Sequence, residues 1–309
     1  MSRPFQFFPA CFTSLMKTLV SLVAFALYSL SLVGQSSTQV RNADGVRLVV
    51  ADEKDPTLRV ILPGAADNDN SIQVIFPEHV TARLHGSNEA DHLYMSTSPD
   101  ARPTWHQSPS SVEYEMDVKS GIHFLARATS QDDGVLFHYE FTNSSQKDYD
   151  MIYAVTDPRL TGIFHDVRLE RTYVHRKNGF ELLASETPGR LTMPLNQWLP
   201  ARYLDSYTWP IPKQCVELRD DGITYYNASE PVDEPMVATL SIDRKWVVAS
   251  FSRTTGNVWS NPELTCQHVD PVMPLPAGGK VSLEVKMLLF RGTLDDALAK
   301  VKSQRESLK

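Results

Sequence analysis

The chain has 309 residues, 42% apolar and 22% charged, a composition that supports a buried core and excludes an intrinsically disordered polymer. Its net charge of -7 comes with no cluster of Lys and Arg able to displace counterions, which argues against nucleic acid or an anionic membrane surface as partner. All-β folds run to about 200–250 residues as one unit, so a single domain is the default for a chain of this length.

Met16 and Lys17 supply a positive start, and 18–33 is an apolar run without a charge. The run is shorter than the ~20 residues a spanning helix needs, and the small and polar Gly34, Gln35, Ser36 and Ser37 follow it. We therefore expect residues 1–36 to be a signal peptide and 37–309 a single domain, secreted or periplasmic, with no membrane contact once the leader is removed. Of three cysteines, Cys11 leaves with the leader. Cys215 and Cys266 remain, and an even pair in an exported chain predicts one disulfide.

Short β-rich runs separated by turn residues then dominate. Segments 46–50, 57–62 and 71–76 open the series, with Asp67-Asn68-Asp69-Asn70 between two of them as a solvated turn that lacks the distal bidentate Glu of a calcium loop. Ser111–Val118 alternates in the strand period, Val112, Tyr114, Met116 and Val118 on one face and Glu113, Glu115 and Asp117 on the other. Segments 122–128 and 135–142 flank Asp132-Asp133-Gly134, and Asp-Gly predicts a tight antiparallel hairpin there. Segments 149–155, 168–174 and 180–184 continue, with Asn178-Gly179 as another turn.

Between 187 and 214 five prolines interrupt any regular ladder while Trp198, Tyr203, Tyr207 and Trp209 crowd in, as in a functional loop or packed lid. Segments 222–226, 236–242, 246–253 and 281–290 restore the strands. One helix is predicted to start at Thr293, capped by that side chain with Asp296 three residues on, and Leu294, Leu298, Val301 and Leu308 make its apolar stripe. The fold class is therefore all-β, a large antiparallel β-sandwich with a short C-terminal helix.

No Gly-rich phosphate loop, G-x-S-x-G elbow, H-E-x-x-H or paired C-x-x-C occurs, so no cofactor and no metal site is expected. Chemistry has two candidate clusters. His268 and Asp270 stand two apart, so an extended backbone aims both to one side, either as an imidazole and carboxylate pair for proton transfer or as a loop latch. His165 and Asp166, followed by Arg168, Glu170 and Arg171, are either a second polar group or the wet face of a strand. Trp198, Tyr203, Trp209 and Trp259 offer flat faces of the kind that stack on sugar rings, with Arg253 as a polar contact, or else they pack a core.

Three stretches, GVLFHYEFTN at 134–143, FHDVRLERTYV at 164–174, and SNPELTCQHVDP with LPAGGKVSLEVKMLLFRGTLDDAL across 260–298, resemble secreted bacterial proteins of uncharacterised role and, beyond them, the galactose mutarotase-like supersandwich. The resemblance covers most of the chain from about Asp44 and implies a two-layer sandwich whose concave sheet binds carbohydrate. Active members use two histidines and an acidic base on that face. His165 and His268 are the nearest counterparts and stand outside the family's sequence context, so the resemblance implies fold and ligand class and not epimerase chemistry. The function expected is carbohydrate binding. A sugar-active enzyme, an epimerase or polysaccharide lyase with His268 as acid or base, Asp270 or Asp166 orienting it and His165 a further catalytic candidate, is the first alternative, and a structural envelope protein the second.

Overall fold

The computed structural model describes residues 39–41, 45–51, 54–65, 71–99 and 102–309. The expected leader, Cys11 and the turn at 67–70 lie outside the described residues. Among the described residues the strands form four sheets of five, nine, four and five strands, and every strand pair but one is antiparallel.

The nine-stranded sheet holds the molecule together. Its centre is Lys280–Arg291, flanked by Gly134–Asn143 and Trp246–Ser252. Trp246–Ser252 is covered on both faces and reads as a near-continuous apolar run, whereas Gly134–Asn143 alternates buried and half-buried positions. Val135, Phe137, Tyr139, Phe141, Val248, Val285 and Met287 face the sandwich core together with Leu58, Val60, Ile72 and Val74 of the first five-stranded sheet and Val80 and Ile152 of the four-stranded one. Met236, Ala238, Val247, Ala249, Phe251 and Leu288 face the opposite way.

That second face is covered by the helix Leu294–Gln304, with Ala297 and Val301 wholly buried. Thr293 accepts from the Asp296 amide at 3.2 Å and the Asp296 carboxylate takes the Thr293 amide at 2.8 Å, so the capping box predicted from the sequence forms. Burying a Val side chain contributes about 1.5–3 kcal/mol, so the short stripe suffices to dock so short a helix.

The hairpin at 132–134 forms, with a different turn from the one expected. Gln131 pairs with Gly134, so Asp132 and Asp133 are the loop and Gly134 is already in the strand. Glycine is required there for space as well as for its φ of 154°, because a Cβ would sit 1.9 Å from the Met287 carbonyl oxygen of the next strand.

Two expectations are corrected. The proline-rich stretch does contain a ladder strand, Ala201–Ser206, which begins directly after Pro200 and pairs in parallel with Thr224–Asn227 and antiparallel with Asn257–Ser260. Proline is tolerated just before a strand because its missing amide lies outside the ladder. The segment expected from 168 becomes a strand only at Thr172, because Asp166 captures the amides of Glu170 and Arg171 at 3.1 and 2.9 Å and Leu169 takes a φ of 52°.

Candidate functional site

Three segments remote in sequence meet at one point. Strand Asp157–Arg159 pairs with Ser71–Ile75 on one side, and on the other Arg159 forms an antiparallel bridge with Cys266. The Gln267 amide donates to the Pro158 carbonyl at 3.3 Å and the Leu160 amide to the Thr265 carbonyl at 2.9 Å. This register sets Asp157 against His268. On the far side His268 is the cross-strand partner of Trp259, and their rings stack with centroids 4.0 Å apart at 27°.

His268 is completely buried. Its Nε2 lies 3.1 Å from Cys266 Sγ and 3.4 Å from Asp157 Oδ1. Asp157 uses its other oxygen to accept from Arg159 Nε at 2.8 Å, and Arg159 Nη2 reaches Glu78 Oε1 at 3.4 Å. Trp259 Nε1 donates to Asp270 Oδ2 at 2.7 Å, while the Asp270 amide donates to Thr255 Oγ1 at 3.0 Å. Three polar atoms of the cluster, Asp157 Oδ1, His268 Nδ1 and Asp270 Oδ1, are buried without a hydrogen-bond partner.

Electrostatics follow from that packing. Burial works against ionising Asp157, but His268 and Arg159 outweigh it and hold its carboxyl below the usual range. Burial also disfavours the His268 imidazolium, and Cys266 and Asp157 beside it more than offset this, raising it well above the ordinary histidine value. Burial pushes the Cys266 thiol up, and burial raises Asp270; Glu78 is raised by burial and then by Asp157. We read the core of the cluster as an Asp157 carboxylate facing a His268 imidazolium, with Cys266 a thiol.

Half-buried His79 and Tyr153, with buried Thr81 and exposed His92, lie beside this floor. His79 and Thr81, two apart on His79–Leu84, share a face with Tyr153 and His92 of neighbouring strands. His79 Nδ1 lies 2.8 Å from Thr81 Oγ1, which lies 2.8 Å from His92 Nδ1. Burial first, then the charges of His92 and His268, push His79 down to about 4, so it is neutral at neutral pH. Arg159 also borders a polar surface depression of about 460 Å³ that Asp55, Gln73, Ser96 and Arg102 help to line.

Of the residues singled out in the sequence, His268, Asp270 and Trp259 come together. The others do not join them. His165 is exposed; its amide donates to the Gly162 carbonyl and its carbonyl accepts from Arg171. Asp166 is the amide latch described above. Arg253 is exposed and faces Glu306 at 3.7 Å. Trp198 is buried edge-on against Tyr203, 6.2 Å between centroids, and Tyr203 stacks on Tyr226 at 4.7 Å beside a separate cavity of about 180 Å³. Trp209 is partly exposed and lies over Gly256, where a Cβ would be 2.2 Å from its ring.

The expected disulfide is corrected as well. Cys215 and Cys266 are both free, Cys215 exposed beside the Tyr203 cavity and Cys266 buried against His268. A bridge needs Cα atoms within about 7 Å, and equal parity of count carries no such information.

Asp157, Arg159, Glu78, His79, His92 and Tyr153 went unread in the sequence. The one local signal was Asp157-Pro158-Arg159, polar residues closing an apolar strand, and a strand end at a sheet edge is where a charged side chain can turn inward.

The chain is similar in fold to solved structures of a galactose mutarotase related enzyme from Lactobacillus acidophilus (10% identity, 83% of this chain and 98% of that one, TM-score 0.47) and a galactose mutarotase-like protein from Lactobacillus casei (11%, 82% and 99%, 0.48). It is similar also to part of an alpha-N-acetylgalactosaminidase from Bifidobacterium bifidum (12%, 86% of this chain and 39% of that one, 0.47). No protein-family model and no curated protein sequence matches.

Proposed function

We propose that this is an exported carbohydrate-binding sandwich whose site lies over the Asp157 and His268 cluster. The observation that carries the reading is the arrangement of half-buried Arg159, Glu78, His79, Tyr153 and Trp259 around a buried floor that fixes them. Sugars present apolar ring faces and radial hydroxyls. Aromatic side chains meet the first and a preorganised guanidinium, carboxyl and imidazole meet the second. Arg159 cannot swing freely, because Asp157 and Glu78 hold both its Nε and an Nη, so little side-chain entropy is lost on binding.

The test is calorimetric titration of the protein with a panel of mono- and oligosaccharides. Binding to at least one saccharide is expected, weakened about tenfold or more by Arg159→Gln, since losing a charged hydrogen bond costs about 1.5–3 kcal/mol. Arg253→Ala, whose exposed side chain faces Glu306, is expected to bind as wild type. No affinity for any saccharide in a folded protein removes the proposal.

A sugar-active enzyme is the second reading, and His79 favours it. A half-buried imidazole that is neutral at neutral pH is able to accept a proton, whereas wholly buried His268 is out of a substrate's reach and acts by orienting its neighbours. Turnover of a bound sugar that disappears in His79→Gln with binding retained supports this reading, and inert wild-type protein counts against it.

A further inference from the structure

The floor of the site brings a thiol, an imidazole and a carboxylate together with no water-exposed surface among them. Cys266, His268 and Asp157 each offer one ligand atom, and these atoms all lie within 4.8 Å of one another. Two of the separations are 3.1 Å, from Cys266 Sγ to His268 Nε2, and 3.4 Å, from His268 Nε2 to Asp157 Oδ1. In a tetrahedral zinc site, with Zn–S about 2.3 Å and Zn–N and Zn–O about 2.0–2.2 Å, the corresponding edges are about 3.6 and 3.4 Å. The carboxylate edge already fits, and the thiol edge needs to open by about half an ångström, which side-chain rotation supplies.

A second observation points the same way. Asp157 Oδ1 is buried and has no hydrogen-bond partner, although the other oxygen of the same carboxylate is taken by Arg159. Buried carboxylate oxygens are almost always satisfied, and this one meets only the His268 imidazolium at 3.4 Å, a contact that a metal ion held between the two side chains would replace. The Arg159 contact is then the outer partner that orients a ligating carboxylate, the usual arrangement around a bound metal.

We propose that Cys266, His268 and Asp157 form a metal site for a borderline divalent cation, zinc by ligand chemistry. Thiolate, imidazole and carboxylate together select zinc over calcium or magnesium, which take oxygen donors alone. Ligation releases two protons, one from the Cys266 thiol and one from the His268 imidazolium, and the thiolate and carboxylate then neutralise the divalent charge, so the bound group is electrically suited to a buried position. The three ligands clamp strand Asp157–Arg159 against the 266–268 segment and leave the fourth tetrahedral position to a water, and the site stands independently of saccharide binding at the rim.

The experiment uses the full chain with Cys11→Ser and the exposed Cys215→Ser, leaving Cys266 the sole thiol. It is titrated anaerobically with Co²⁺, a spectroscopic stand-in for zinc. Saturation at one equivalent is expected, with near-ultraviolet thiolate-to-cobalt absorption and visible bands of a tetrahedral ion, all abolished by one equivalent of Zn²⁺. Adding Cys266→Ser removes the near-ultraviolet band, and Arg159→Gln lowers cobalt affinity by about 10–100-fold. A sole-thiol protein with a native far-ultraviolet spectrum and no saturable thiolate band overturns the proposal, as does a band that survives Cys266→Ser. Should Cys266→Ser not fold, the sole-thiol titration decides by itself.

Discussion

Asp133 sits in the hairpin loop between the strands Ile122–Gln131 and Gly134–Asn143 and gathers three partners from the far end of the chain. Lys286 Nζ lies 2.8 Å from its Oδ1, and Lys300 Nζ at 3.0 Å and Gln304 Nε2 at 2.8 Å from its Oδ2. Lys286 is almost wholly buried in the nine-stranded sheet, while Lys300 and Gln304 belong to the C-terminal helix. Burial opposes ionisation of Asp133, yet these partners more than offset it and hold the carboxyl at about 2 against an ordinary 3.8. That difference corresponds to about 2.4 kcal/mol, and solvent screening at the open side of the turn reduces it to about 1–2 kcal/mol. The carboxyl's folded value is depressed, so the contribution is complete above pH 3.8 and is lost as pH falls through about 2. Asp133→Asn removes it at every pH and leaves the buried Lys286 ammonium with Gln131 as its remaining partner, raising the cost at neutral pH to about 3 kcal/mol. Lys286→Met in the same chain should restore most of the loss, because a partnerless buried charge is what makes the single variant costly. Urea unfolding of the three proteins at pH 7 and pH 3 measures this. A single variant within about 0.5 kcal/mol of wild type, or a double variant no more stable than Asp133→Asn, refutes the reasoning.

His79 should titrate near pH 4 in the folded protein, followed by the imidazole carbon-bound proton resonances; its folded value is depressed, so the stability it contributes is lost as pH falls from about 6.5 to about 4, and a midpoint near 6.5 would contradict the burial described. Gly134→Ala should destabilise by about 2 kcal/mol or more by forcing Lys280–Arg291 away, and chemical denaturation showing no loss would mean that the strand contact at Met287 is looser than its geometry. Under native conditions one thiol of the described residues, Cys215, should react with a water-soluble disulfide reagent, and Cys266 only after denaturation; failure of Cys215 to react, with a mass gain of two on reduction, would restore the disulfide.

Apolar and polar residues alternating at period two are a local property of a strand, so most of the ladder from Ser111 onward, its hairpins and its helix cap were readable without coordinates. The Thr293 and Asp296 cap is the clearest case, since both halves lie within four residues. That His268, Asp270 and Trp259 lie in one neighbourhood was legible for the same reason, but the expected pair is corrected: the carboxylate facing His268 is Asp157, while Asp270 accepts from Trp259. Strand Ala201–Ser206 was hidden because Pro200 and its neighbours masked a segment whose partners, Thr224–Asn227 and Asn257–Ser260, are remote.

Residue types and periodicity thus determined a predominantly β chain with a docked C-terminal helix, and they marked part of the site. Which carboxylate meets His268 was decided by a single antiparallel bridge, Arg159 to Cys266, between segments more than a hundred positions apart. Local sequence carries propensity and side-chain direction, but the register between distant strands is set by how whole sheets pack, and only that register put Asp157, Cys266 and His268 within reach of one another.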